Sequence, residues 1–304
     1  MKLDYLLPAS CGETLVNEET KFILTALVPP LIFLVFVEFV PIFYSLFFSF
    51  TDRVIFETTY KFVGLENYLR YLASSDFINN LINSFAYGLG AAILQTFWGL
   101  FLALSLYKHQ SVWATALCVI LFIPYVIPYV AVALLWTFLL DQTAGPINKW
   151  VTFLGISDKP IPFLSSPQLA MPTVILVTSW MLAPFAMLLL YAALRTVPRD
   201  QLEAAMIDGA GALETFRHVT WPWIARMFYI TLFLRFLFNF GKFDLIWLLT
   251  QGGPLKATET FPIRVWLMAY SEYNYGGASA VAVVSLLALM IPLALFVYAT
   301  REKE

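Results

Sequence analysis

Apolar positions along the chain gather into six long runs, each bounded by charged residues or by Gly and Pro clusters, at about 24–50, 81–107, 112–140, 169–194, 223–250 and 278–300. A helix needs about 20 mostly apolar residues to cross ~30 Å of hydrocarbon, and every run reaches that length. The pattern predicts an all-α membrane protein with six transmembrane helices. The connections at 108–111, 195–222 and 301–304 are short or basic, whereas those at 51–80, 141–168 and 251–277 are longer and mixed in character. That alternation predicts a multi-pass topology with both termini in the cytoplasm, residues 1–21 forming a cytoplasmic tail and 22–304 one membrane domain. On this topology nine basic residues lie inside (Lys2, Lys21, Lys108, Arg195, Arg199, Arg217, Arg226, Arg301, Lys303) and seven outside (Arg53, Lys61, Arg70, Lys149, Lys159, Lys256, Arg264). The inside segments are shorter in total, so the positive-inside rule points the same way.

Composition narrows the class. Of the 304 residues 60% are hydrophobic and 12% charged, with a mean hydropathy of +0.77, which excludes a soluble enzyme and a disordered chain. A net charge of −2 leaves no basic surface for nucleic acid. Cys11, Cys118, His109 and His218 are too few and too scattered for a disulfide framework or a metal cluster. The segment Leu6-Leu7-Pro8-Ala9-Ser10-Cys11 faintly resembles a lipoprotein cleavage site. Its apolar run is too short for a signal peptide, so Cys11 is expected to be a free thiol in the tail.

The loop at 195–222 carries the sharpest pattern. Pro198 suits the first turn of a helix, residues 201–207 are good helix formers, and Asp208-Gly209-Ala210-Gly211 supplies a turn. A second short helix at 213–219 is expected, stopped by Pro222. Leu202, Ala205, Met206, Leu213 and Phe216 would be apolar contacts of this knob. On physical grounds it could dock a partner or lie on lipid headgroups.

Four ionisable side chains fall inside spans: Glu38, Arg235, Lys242 and Asp244. Each costs roughly 2.5–3.5 kcal/mol on insertion scales unless it faces a cavity or a partner. Arg235, Asn239 and Lys242 at i, i+4 and i+7 share a helix face. That stripe either lines a polar path or pairs with Glu38 and Asp244. Pro124, Pro128 and Pro184 each leave a carbonyl without its helical partner, a break that a wet cavity or neighbouring protein tolerates at membrane depth.

The residues Glu203-Ala204-Ala205, Asp208-Gly209-Ala210 and Phe216-Arg217-His218-Val219-Thr220, between the fourth and fifth spans, resemble the EAA loop of binding-protein-dependent ABC importer permeases. Phe62-Val63-Gly64-Leu65-Glu66-Asn67-Tyr68 is similar to a segment of sugar permeases. Phe243-Asp244-Leu245-Ile246 and Leu249-Thr250-Gln251-Gly252-Gly253-Pro254 are similar to the end of the fifth span in the maltose and glycerol-phosphate type. The resemblance spans about 22–300 and implies the type I importer permease fold with a cytoplasmic coupling helix. It implies an ATPase-coupling set of Glu203, Ala204, Ala205, Asp208, Gly209, Ala210 and Gly211, with Glu203 meeting a basic group of the ATPase and both glycines allowing close approach. It implies a substrate-contacting set of Tyr125, Tyr129, Thr178, Leu182, Asn239 and Lys242, beside which Arg235 stands on the same stripe. Lys242 and Leu182 depart from the maltose pattern. The implied partners are a second homologous permease, two ATP-binding subunits and an extracytoplasmic solute-binding protein in a bacterial or archaeal inner membrane, besides membrane lipid, with a small carbohydrate, polyol or related osmolyte as substrate. The chain lacks a G-x-x-x-x-G-K-[ST] phosphate loop, so ATP and Mg would sit on the partner subunits and no cofactor, catalytic group or metal on this one. The competing reading is an ion-coupled secondary transporter with Glu38 and Asp244 as its carboxylates. The loop weighs against it, because such a transporter needs no ATPase dock.

Overall fold

The computed structural model describes residues 9–107 and 112–301; the expected roles of Lys2, Lys108, His109 and Lys303 lie outside the described residues. The architecture is helical, in the order α1 (Ala9–Phe48), α2 (Glu66–Leu72), α3 (Ser75–Tyr107), α4 (Val112–Val126), α5 (Tyr129–Leu139), α6 (Pro146–Phe153) and α7 (Pro167–Leu194). Then come α8 (Arg199–Ile207), α9 (Ala212–Thr215), a π-turn (Phe216–Thr220), α10 (Trp221–Phe240), α11 (Asp244–Thr250), α12 (Phe261–Trp266), a second π-turn (Leu267–Ser271) and α13 (Tyr275–Arg301). Among the described residues five helical stretches are long and apolar enough to span a membrane, and six if α4 and α5, bent by 91° between Val126 and Tyr129, are taken as one broken span.

α1 starts at Ala9, so the chain is already helical within the segment expected to form the cytoplasmic tail. Two sequence expectations are corrected. The fifth span does not run to Thr250: α10 ends at Phe240, Gly241 caps it, and Asp244–Thr250 is a separate helix. Pro222 does not stop a second loop helix. It sits in the first turn of α10, where a missing N–H costs little, and the wide π-turn before it lets the backbone pass without a clash. α9, the π-turn and α10 are therefore one continuous rod.

The centre of the bundle is α3 packed against α7 and α10. Small residues make this possible: Ala91, Ala92, Ala103 and Ala186 are fully buried, so backbones approach closely. At Gly99 a Cβ would lie 2.7 Å from the Ala186 Cβ and 2.7 Å from the Met187 nitrogen. Gly99→Leu should therefore force α3 and α7 apart, at about 1–3 kcal/mol or more. The expected result is a clear fall in thermal stability of the detergent-solubilised protein, and an unchanged melting point would contradict this packing.

At the end of the bundle opposite α8, a polar clamp ties the segment between α11 and α12 to α3. The Asn80 amide donates to the Glu259 backbone oxygen at 2.9 Å, and the Tyr71 hydroxyl donates to Asn80 Oδ1 at 2.9 Å. Burial pushes the Tyr71 phenol above its ordinary range. Lys256 meets Asp76 at 2.6 Å, and Arg264 meets Glu272 at 2.7 Å.

Candidate functional site

Two polar regions stand out, joined by α10. The first is the knob. α8 begins after Pro198 in an extended conformation and ends at Asp208. Gly209 takes φ +77°, a left-handed geometry that favours glycine. Its N–H bonds the Met206 oxygen at 3.2 Å, and the Ala210 N–H bonds the Ala205 oxygen at 3.0 Å, the paired bonds of a Schellman cap. Gly211 has φ −68°, so its backbone does not demand glycine; its N–H instead donates to Glu214 Oε2 at 2.9 Å.

The knob's expected apolar contacts divide in two. Leu202 and Phe216 turn inward onto a cluster with Leu194, Val197 and Phe228, while Met206 and Leu213 remain exposed, as does Ile207, which was not among the expected contacts. Ala205 and Ala210 are half-buried, and Glu203, Ala204, Asp208 and Gly211 are exposed. The Trp223 indole N–H donates to Gln201 at 2.7 Å, anchoring α8 to the base of α10. The outcome is a rigid knob with an exposed apolar and acidic outer face.

The second region lies where two helix breaks meet. Arg235 and Asn239 do share a face of α10, and both are more than 95% buried. What they meet is Gln95 of α3, which sequence reasoning missed. Its Oε1 accepts from Arg235 Nε at 2.6 Å and from Asn239 Nδ2 at 3.0 Å. The Arg235 guanidinium stacks 5.6 Å over the ring of Phe185, which in turn stacks on Tyr125 at 5.8 Å. Past Asn83 the rest of α3 carries no other amide, and an amide in that apolar stretch is the one signal that could have marked Gln95 beforehand.

Lys242 does not continue the stripe. It lies in the break after α10 and reaches the hydroxyl of Tyr129, at the start of α5, with Asp244 at 3.8 Å. The structure thus joins the α4–α5 break to the α10–α11 break through one ammonium–phenol contact. Thr178 and Leu182 are buried on α7, Thr178 accepting a hydrogen bond from Tyr87 at 3.2 Å. Of the expected substrate set, Tyr125, Tyr129 and Lys242 are partly accessible, and Thr178, Leu182, Arg235 and Asn239 are held inside the subunit. Pairing between Glu38 and either cation is overturned: Glu38 is exposed on α1 and makes no ion pair among the described residues, and only Lys242 has a carboxylate neighbour, Asp244.

Comparison with known proteins bears on both regions together. The profile of the "Binding-protein-dependent transport system inner membrane component" family matches residues 95–302, more than half of the chain. The chain belongs to this family. It is an ABC importer permease, a multi-pass protein of the inner membrane, and the match encloses Gln95, both helix breaks and the knob. This permease is 31% identical over 274 residues to the probable ABC transporter permease protein YurN of Bacillus subtilis, covering 90% of this chain and 94% of that one. It is 32% identical over 232 residues to the trehalose/maltose transport system permease protein MalF of Thermococcus litoralis, covering 76% of each. Its fold matches a chain of a bacterial ABC transporter involved in the import of the acidic polysaccharide alginate, with a TM-score of 0.81 at 20% identity over 96% of this permease and 100% of that chain.

Proposed function

We propose that this permease forms half of a translocation pathway for a small carbohydrate, polyol or related osmolyte. It works with a second permease, two ATP-binding subunits that hold ATP and Mg, and an extracytoplasmic solute-binding protein, and binds no cofactor itself. Both termini and the knob face the cytoplasm. The knob seats on an ATPase, with Glu203 meeting a basic group and Met206, Ile207 and Leu213 providing apolar contact. Tyr125, Tyr129, Lys242 and the buried Arg235, Asn239, Thr178 and Leu182 shape the solute path. Aromatic faces there suit the C–H surfaces of a sugar, and the amide and ammonium groups suit its hydroxyls.

One observation carries this reading: α9, the π-turn and α10 form an unbroken rod from the knob to Arg235 and Asn239. A push on the knob passes through the capped turn at Gly209 and the Gln201–Trp223 bond into this rod, and along it to the polar cluster. Nucleotide that binds one arrangement of the ATPases better shifts the permease between inward-open and outward-open states by that difference in affinity. The test is uptake of radiolabelled sugars by proteoliposomes holding the complete importer and its binding protein. Uptake should require ATP on the knob's side and proceed without an ion gradient. Uptake by this chain alone, driven by an ion gradient, would overturn the reading in favour of a secondary transporter.

A further inference from the structure

We propose that α2 and α6 are interfacial helices: each seats an apolar edge in the headgroup layer of the bilayer on the side opposite the knob, so that a phospholipid surface is the partner of both. Nothing in this seat depends on which solute the permease carries.

The two helices are built alike. α2 lies between the end of α1 at Phe48 and the start of α3 at Ser75, and α6 lies between the end of α5 at Leu139 and the start of α7 at Pro167. In each, a buried asparagine bonds carbonyls of the chain that has just left a span. The Asn67 amide donates to the Ser49 and Thr51 oxygens at 2.9 and 2.8 Å. The Asn148 amide donates to the Asp141 and Ile161 oxygens at 3.1 Å each, and its own oxygen accepts from the Ile161 N–H at 2.7 Å. A span ends where the hydrocarbon ends, so both helices are pinned at the edge of the apolar layer. Val130, Leu134 and Phe138 form an exposed apolar strip on α5 that leads up to α6.

Around its axis each helix has three sides. On α2, Asn67 and Tyr71 are buried, Leu65, Leu69 and Leu72 at i, i+4 and i+7 are exposed on a second side, and Glu66 and Arg70 make an exposed ion pair on the third. On α6, Asn148 is buried between half-buried Ile147 and Val151, Trp150, Phe153 and Leu154 are exposed together, and Lys149 and Thr152 form the polar side. A Schellman cap at Gly155, with φ +68° and the Ile156 N–H on the Val151 oxygen at 3.0 Å, holds the exposed Ile156 at the helix end. In water each of these leucines, and Phe153, forgoes roughly 1.5–3 kcal/mol of burial. The footprint of a soluble partner has an apolar centre and a polar rim. Each helix here has instead one apolar edge and one polar edge, the division that a boundary between acyl chains and water imposes. Trp150 and Lys149 are also side-chain types that settle at headgroup level.

The test uses the complete importer in phospholipid nanodiscs, with Cys11 and Cys118 replaced by serine and one nitroxide-labelled cysteine in this chain, at Leu69→Cys, Arg70→Cys, Thr152→Cys or Phe153→Cys. All four positions are exposed, so the labels leave the packing intact. Collisions are measured with oxygen, which dissolves among acyl chains, and with a nickel chelate, which stays in water. Labels at 69 and 153 should collide mainly with oxygen, at a depth of about 5–10 Å into the boundary between headgroups and acyl chains. Labels at 70 and 152 should collide mainly with nickel. Nickel dominating at all four positions would overturn the proposal and leave both helices in water. Labels at 69 and 153 that neither reagent reaches would overturn it in favour of a protein partner, as would nickel access there that disappears when the solute-binding protein is added. Oxygen dominating at only one of the two would overturn the shared role of α2 and α6.

Discussion

Gly209→Val is expected to abolish ATP-driven uptake while leaving the six spans inserted. A β-branched residue at φ +77° is held in a region it scarcely populates, at a cost of about 1–3 kcal/mol. No neighbour within 4 Å of the Cβ position crowds it. The damage is therefore confined to the turn, and the bundle around Gly99 and Ala186 is untouched. Relief of the strain rotates the turn out of the left-handed region and breaks the two capping bonds to Met206 and Ala205. The outer face of α8 then changes its angle to α10, and the ATPases lose their seat. The expected measurements are wild-type amounts of inserted permease, uptake reduced to background, and loss of the ATP-binding subunits on purification. Gly211→Ala serves as the comparison. Its φ of −68° suits alanine, so uptake should stay near wild type. Equal loss in both variants would mean that the turn conformation is not what couples the knob.

Gln95→Leu is expected to be the most damaging single change in the bundle interior. The substitution is close in volume, but it removes the one acceptor shared by Arg235 and Asn239. The Arg235 side chain is 96% buried, and its Nη2 already lacks a partner. Without Gln95 its Nε is left unsatisfied as well. A hydrogen bond to a charged group contributes about 1.5–3 kcal/mol, and leaving a buried charge without an acceptor adds to that loss. The protein should lose several degrees of thermal stability in detergent and most of its uptake. Gln95→Glu keeps the acceptor and supplies a counter-charge, so its stability should stay at or above wild type. If Gln95→Leu were as stable as wild type, Arg235 would have to find another acceptor, and the three-residue cluster would not hold α3 to α10.

Much of this molecule is legible along the chain because the governing physics is local. Hydrocarbon thickness sets the length of an apolar run, so the spans at 81–107 and 169–194 lie within α3 and α7, which extend a few residues beyond them at the start. Turn chemistry is equally local, and Asp208-Gly209 marks the end of α8 where the Schellman cap forms. A proline's effect depends on its surroundings. Pro128 closes a 91° break as the cap of α5, whereas Pro184 lies inside an α7 that runs uninterrupted to Leu194.

The chain alone therefore pointed to a helical membrane protein with six long apolar runs, a helix-turn-helix knob at 195–222 and a resemblance to importer permeases. The tertiary structure decided which polar groups meet. Spacing on one helix placed Arg235, Asn239 and Lys242 together, yet the helix ends at Gly241 and Lys242 turns to Tyr129, more than a hundred residues earlier in sequence. Gln95 became the hub, and Glu38 was left without either cation, because contacts between distant segments follow from how helices pack. A side chain's charge is written in the sequence; its partner is chosen by whichever backbone comes close enough to satisfy it.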